Sequence, residues 1–551
     1  MDVQRSDILI VGAGASGGVA ARELAAHGLS VTCLEQGDWP DRGRFPGPRP
    51  DRDLASNPRW NANPNVRLTE ADYPVEISES DVDISMYNAV GGSTVLWTAI
   101  WHRMLPSDFN VQTLDKIARD WPIDYADLNP FYDEIEDALG VSGLAGDPAY
   151  PDRKPYPLPP FPIGTLGTQF AHGMNRLGWH WWPGVNAIPS RAYRNLNACV
   201  RRGTCITGCA DGAKASTDLT HWPDAIENGV TLITGARVCE ITLDVQGRAS
   251  GAIYVDRSGE RIHHEADTVL LCANGIGTAR LLLLSKSERF PDGLANSSGL
   301  VGRGLMLHPT ALALGIVDGP RQPTWVGPMG QTITSMQFYE SDASRGFVRG
   351  SKWSFAPSGG PLDVAMGLPG VGEGFMQALD STYGHMMTLA IFGEDLPDDD
   401  NRVTLDDELT DSDGLPAPRI RYRVGANTEK LIAFNLARAS EALREAGAIH
   451  TVEVPIQRSF GGAHLMGTAR MGTDPAESVI DPWGQCHDVP GLYILDGSVF
   501  VTAGAVNPTA TIMALALRSA RHIASDYSKA RGGDQSNVST PGKVVEHDRA
   551  Q

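Results

Sequence analysis

The sequence predicts an α/β fold: a doubly wound, Rossmann-like dinucleotide-binding domain assembled from several segments, with an inserted α+β substrate domain on an antiparallel sheet. Three observations carry this prediction. GAGASGG, from Gly12 to Gly18, sits between a short apolar strand and a helical pattern. A second strand runs into glycines and a helix at Thr268 to Leu282. Residues 308–455, between glycine-rich flanks, have a different character, with loops, prolines, methionines and aromatics.

Taken in order, Asp7 to Val11 reads as a buried strand, the glycines as a tight turn, and Val19 to Ala26 as a helix of small residues able to pack closely on the strand. Amides at that helix start, around Gly12, Gly14, Ala15, Ser16 and Gly17, suit a pyrophosphate. Leu29 to Leu34 is the next strand, and Glu35 closes it where a carboxylate accepts hydrogen bonds from a ribose diol. An acid there favours an unphosphorylated ribose, as in FAD or NAD, over NADP.

Residues 38–85 and 147–190 read as irregular excursions, the first rich in Pro, Arg, Asn and Asp, the second opening on prolines and aromatics. Between them stands GGST, Gly91, Gly92, Ser93 and Thr94, small enough for backbone to approach a flat ring closely. Val230 to Thr234, Ala252 to Val255 and Thr268 to Ala273 alternate and are β-branched, so they read as strands. Residues 1–307 and 456–527 are thus assigned to the dinucleotide-binding domain, 308–455 to the substrate domain with a strand at Met387 to Phe392, and 528–551 to a disordered tail.

At the C-terminal end the chain is glycine-rich again around His464, and then reads Asp496, Gly497, Ser498 and, further on, Asn507, Pro508 and Thr509 before a helix from Ile512. An imidazole flanked by small residues is open to a substrate, and with an unperturbed pKa of about 6.5 it can take a hydroxyl proton near neutral pH. His102, His308 and His487 read as structural. Cys199, Cys205 and Cys209 are three thiols within eleven residues, the one place where metal enters the reading.

Composition narrows the partners. A net charge of -20 argues against nucleic acid and anionic membrane surfaces. Apolar runs such as Leu281 to Leu284 are far too short to span a bilayer, and the N-terminus leads straight into the first strand, so a cytoplasmic site is expected. Seven cysteines, an odd number, do not make a disulfide framework.

The order of these motifs resembles the glucose-methanol-choline (GMC) family of FAD-dependent oxidoreductases: GAGASGG with Glu35, GGST at 91–94, then HLMGTARMG from His464, IDPWGQCHDVPGLYILDGSVF from Ile480 and AVNPTATIMALALR from Ala505. The resemblance implies FAD as cofactor, with His464 and Asn507 as the catalytic pair. It places Val238, Ala273, Asp496, Gly497, Asn507, Pro508 and Thr509 with the glycines on the cofactor. Ser93 to Trp97 holds no His, so noncovalent FAD is expected.

It further implies oxidation of an alcohol to a carbonyl by hydride transfer to the flavin, the substrate being a sugar, glycoside or polyol, with oxygen or an external acceptor reoxidising the flavin. Two alternatives stay open. The cysteine spacing resembles iron-sulfur-containing catalytic subunits of sugar dehydrogenase complexes, which would add a cluster and a small subunit or cytochrome partner. Certain relatives are FAD-containing lyases with no net redox chemistry.

Overall fold

The computed structural model describes residues 4–45 and 72–532. Residues 46–71 of the first predicted excursion and residues 533–551 of the tail lie outside these.

Strand β1 (Gln4–Val11) is apolar and buried from Ile8 to Val11, and it lies between β2 (Val31–Glu35) and β8 (Arg261–Leu271), parallel to each. Ile8 pairs with Val31 and with Thr268, a register that brings both βα turns to the same edge. Outside β2 lies β5 (Thr231–Thr234), also parallel. Beyond β8 the sheet turns antiparallel through β7 (Ala249–Val255) and β6 (Arg237–Leu243), while β16 (Leu492–Ile494) adds in parallel to the C-terminal part of β8. The C-terminal chain therefore returns into the sheet that the N-terminal chain began. Its last helix, Thr509–Gly532, packs on the helix Ala15–Ala26. Because that helix runs on to Gly532, the first residues of the tail expected to be disordered are helical.

The second sheet has the order β15 (Ala448–Val454), β9 (Thr310–Val317), β12 (Met386–Gly393), β11 (Ser351–Ala356), β10 (Ile333–Ser335) and β4 (Trp182–Pro183), with every pairing antiparallel. Helices Gly164–Leu177 and Ala426–Glu445 bury Phe170, Met174, Leu431, Leu436 and Leu443 against it. The first of these helices corrects the expectation of an irregular stretch at 147–190: after the prolines, the apolar side chains of Leu166, Phe170 and Met174 recur at helical spacing and find the sheet.

A third, small sheet joins β13 (Arg402–Thr410), β14 (Pro416–Tyr422) and β3 (Glu76–Ser80). Strand β3 is an ordered piece of the 38–85 stretch expected to be irregular, drawn into regular structure by pairing with β14. Val403 and Ile420 of this sheet pack with Ile276 and Leu305, so residues 402–422 sit against the first sheet's side of the molecule.

Candidate active site

Between the first two sheets lies a cavity of about 600 Å³. One end is built by glycines. Gly12 has φ +102°, and a Cβ there would stand 2.6 Å from the Cys272 carbonyl oxygen. A Cβ on Gly92, φ +52°, would stand 2.8 Å from the Gly14 Cα, so the two glycine turns face each other with no room for a side chain on Gly92.

Of the sequence-predicted cofactor residues, Gly12, Gly14, Ala15, Ser16, Glu35, Gly92, Ser93, Thr94, Val238, Ala273, Asp496, Gly497, Asn507, Pro508 and Thr509 line the cavity. Gly17 and Gly91 do not. A Cβ on Gly17 would meet the Gly12 carbonyl oxygen at 2.0 Å, so that glycine serves helix-on-strand packing. Gly91 donates its N–H to the Ala13 carbonyl and stands against Asp218 and Val95.

Glu35 ends β2 inside the cavity. Its oxygens accept from the Ala13 and Gly37 amides, each at 2.8 Å, and burial raises its pKa to about 7. Each carboxylate oxygen keeps a lone pair for a further donor. Asp496 is already engaged, accepting from Ser498 N at 2.9 Å, Ser498 Oγ at 2.6 Å and Thr278 Oγ1 at 2.5 Å. Arg237 and Arg280 also reach the wall, and both are ion-paired to Asp411. The charge at this end is thus balanced within the protein, leaving helix-start amides for an anion. A cavity of this volume with a close glycine cradle and an acid at the ribose position fits FAD.

At the other end four polar side chains and a backbone carbonyl form one chain. Gly504 O can only accept, so His308 Nε2, 2.7 Å away, carries a proton. Burial holds the His308 pKa down to about 4, so its ring is neutral and Nδ1 is a lone pair. His464 Nδ1, 2.8 Å from it, must therefore be the N–H. That leaves His464 Nε2 with a lone pair, facing Asn507 Nδ2 at 3.3 Å. Asn507 turns its other end away, where Oδ1 accepts from Lys352 Nζ at 2.7 Å. Burial, with the neighbouring His308 and Lys352, drives the His464 pKa well below 6.5. A neutral imidazole with its basic nitrogen open to a cavity, next to an amide N–H₂, is equipped to take a proton from a hydroxyl and to hydrogen-bond the oxygen left behind.

Sequence reasoning found His464 and Asn507 but not the two groups behind them. His308, read as structural, stands perpendicular to His464 with ring centres 4.9 Å apart. Its only local signal is the junction it occupies: a Cβ on Gly461 would meet the His308 carbonyl at 2.4 Å, so the chain leaving the first sheet passes under the glycines that carry His464. Lys352 had no signal, because a lysine within a strand reads as solvent-facing. Beyond the cofactor residues the walls include Trp97, Ile100, Ile206, Phe392 and Phe460, with hydroxyls from Tyr73, Ser85, Tyr87, Thr98, Thr310 and Ser459.

Among the described residues no group of three or more His, Cys, Asp or Glu side chains is arranged to hold a metal. The iron-sulfur alternative at Cys199, Cys205 and Cys209 thus finds no ligand set. Burial pushes the Cys199 thiol up to about 12 and raises Cys205 as well, which keeps both protonated. The segment has a different use. Lys214, fully buried, donates to Val95 O at 2.8 Å, to Trp97 O at 2.9 Å and to Cys205 O, clamping the cysteine loop to the turn that follows GGST.

The family described as GMC oxidoreductase matches residues 6–310 with its N-terminal part and residues 397–516 with its C-terminal part. A 2-methyl-1,2-propanediol dehydrogenase of Mycolicibacterium austroafricanum is 40% identical over 533 residues, covering 95% of this chain and 96% of that protein. The fructose dehydrogenase large subunit of Gluconobacter japonicus is 29% identical, covering 95% and 98%. Among solved structures, pyridoxine 4-oxidase from Mesorbium loti superposes with a TM-score of 0.64 at 20% identity, covering 94% of this chain and 98% of that one. Among the described residues no helix is long and apolar enough to cross a membrane.

Proposed function

This chain belongs to the GMC oxidoreductase family and is an FAD-dependent oxidoreductase acting on CH–OH groups, and from that premise we propose that it oxidises a short, branched diol to the carbonyl compound with His464 as base. The observation that carries the reading is the polarity of the chain from Gly504 O to His464 Nε2, which leaves a lone pair inside the cavity.

Bound FAD, held noncovalently by the glycine turns, Glu35 and the start of the helix Thr509–Gly532, supplies the hydride acceptor. The protein's own part is positional and electrostatic. His464 Nε2 takes the hydroxyl proton. Asn507 Nδ2 donates to the same oxygen and steadies negative charge as it develops. His308 accepts from His464 Nδ1–H throughout, and this bond strengthens when His464 becomes an imidazolium. Phe392, lying near-parallel to His464 with ring centres 6.4 Å apart, keeps water from one side of the base.

Within the sugar, glycoside and polyol class, the walls favour the small polyol. Trp97, Ile100, Ile206, Phe392 and Phe460 offer no hydrogen bond, and each sugar hydroxyl buried against them alone costs about 1–3 kcal/mol. A single wall hydroxyl suffices for a diol's second OH, and a branched methyl gains from the apolar side chains. The resemblance to a diol dehydrogenase supports the same choice. The resemblance to a fructose dehydrogenase large subunit supports an external electron acceptor, which turnover with a redox dye under nitrogen would check.

The test is the anaerobic absorption spectrum of the flavin-loaded protein on adding 2-methyl-1,2-propanediol, other short diols, hexoses and glycosides. Bleaching by the diols is expected. Bleaching by sugars alone would overturn the substrate assignment, and a flavin that no alcohol bleaches would return the lyase reading.

A further inference from the structure

Lys352 is fully buried in β11 and the oxidation as described does not use it. Its register partner on β12 is Phe392, so both side chains rise on one face of the second sheet, toward the cavity's reactive end. Nζ makes its hydrogen bond to Asn507 Oδ1 and lies 4.3 Å from the centre of the Phe392 ring. Among the described residues no carboxylate stands within ion-pairing distance of it and Asn507 is its sole hydrogen-bond acceptor, a setting that leaves an ammonium's other N–H groups unserved. Burial accordingly drives its pKa well below 10.5.

We propose that Lys352 is a positioning residue for the oxidation: its N–H, held on Asn507 Oδ1, fixes the Asn507 amide in the orientation that keeps Nδ2 on the reacting oxygen. The inference rests on the assignment of His464 and Asn507 above.

The need for such a lock follows from the chemistry. Before reaction, His464 Nε2 is a lone pair and Asn507 Nδ2 faces it correctly, though at 3.3 Å the bond is long. Once His464 Nε2 has taken the proton it becomes a donor. The amide would then gain by rotating half a turn, so that Oδ1 accepts from Nε2–H and Nδ2 leaves the oxygen where charge is developing. In its ammonium form Lys352 opposes that turn, because Nζ then has no lone pair and a rotated amide would present N–H₂ to it in place of the oxygen it now serves. Lys352 stands on the second sheet while Asn507 precedes the last helix of the first, so the lock also sets the two layers relative to each other.

The experiment is a double-mutant cycle read by anaerobic flavin reduction. Lys352→Met, with flavin content confirmed, is expected to slow reduction at saturating alcohol by 10-fold or more while the alcohol's dissociation constant moves less than threefold. In an Asn507→Ala background the same substitution should change the rate less than twofold. A rate within twofold of wild type, or an equal fractional loss in both backgrounds, overturns the proposal. A second readout needs neither turnover nor a Lys352 variant that folds. With asparagine side chains labelled by ¹⁵N and the Asn507 signal assigned by its loss in Asn507→Ala, wild type should show a single, exchange-protected N–H₂ pair without line broadening. Two sets of signals, or broadening from an amide sampling both orientations, would overturn the proposal even if Lys352→Met fails to load flavin. Wild-type protein that no alcohol reduces would instead strike the functional reading and leave the amide measurement standing.

Discussion

Replacing His308 with Phe tests the derived tautomer of the base directly. His308 is fully buried, and phenylalanine keeps a ring against His464 while removing both hydrogen bonds, the 2.7 Å donation to Gly504 O and the 2.8 Å acceptance from His464 Nδ1. His464 Nδ1–H would then be a desolvated donor without a partner, a penalty of about 1–3 kcal/mol. The competing tautomer, with the proton on Nε2, escapes that penalty but has no lone pair for the substrate. Converted at about 1.4 kcal/mol per tenfold, the shift lowers flavin reduction by roughly 5- to 140-fold. His308→Gln is the companion variant: its carbonyl can accept from His464 and its amide can donate to Gly504, so it should recover most of the loss. Stopped-flow reduction of the holoenzyme by alcohol under nitrogen measures both, with flavin absorbance reporting occupancy. A Phe variant that reduces as fast as wild type would refute the tautomer argument, and so would a Gln variant as slow as Phe.

His464→Ala should retain FAD and lose flavin reduction by several orders of magnitude, and an unchanged rate would remove it from the mechanism. Because its folded pKa lies well below 6.5, the base is neutral at and above that pH; the reduction rate should be flat there and fall only as pH drops through the depressed value, so an acid limb centred above 6.5 would contradict the burial argument. Glu35→Ala should leave the fold intact and weaken FAD retention by tenfold or more, about the worth of one charge-assisted hydrogen bond to the ribose, as read by flavin released on gel filtration. Phe392→Ala opens the cavity beside His464 and should shift kcat/KM from short diols toward bulkier alcohols, measured over a homologous series.

The parts of this molecule that were legible in the sequence are those whose physics is local. A glycine that must carry positive φ, as Gly12 does, and an acid at the end of the next strand announce themselves within 25 residues. Strands β1, β2, β5, β7, β8 and β12 show as apolar or alternating runs. Strand β6 and the helix Ala426–Glu445 escaped, the first because Arg237 and Glu240 interrupt its apolar pattern, the second because its buried stripe of Leu431, Leu436, Ala439 and Leu443 is diluted by charge on the other face. His308 and Lys352 were beyond reach for a different reason. Their partners stand 156 and 155 residues away, and only the closing of two sheets on one another makes a histidine and a lysine into neighbours of the reactive pair.

The polarity of the site has an anchor, and it is a backbone carbonyl. Everything from His308 Nε2 to Asn507 Oδ1 takes its direction from Gly504 O, which is useful only while residues 503–507 stay in place. Tyr339 fixes that segment from the second sheet's side: its hydroxyl accepts from Ala505 N at 3.0 Å and donates to Asp108 Oδ2 at 2.8 Å. Arg349, buried just before β11, joins Asp108 to Glu394, just after β12. The strands that deliver Lys352 and Phe392 are therefore tied, through Arg349 and Tyr339, to the loop that sets the proton on His308. Both halves of the base's environment, the hydrogen bond behind His464 and the amide beside it, are braced from the same pair of strands, so displacement of the second sheet would loosen the base and its amide partner together.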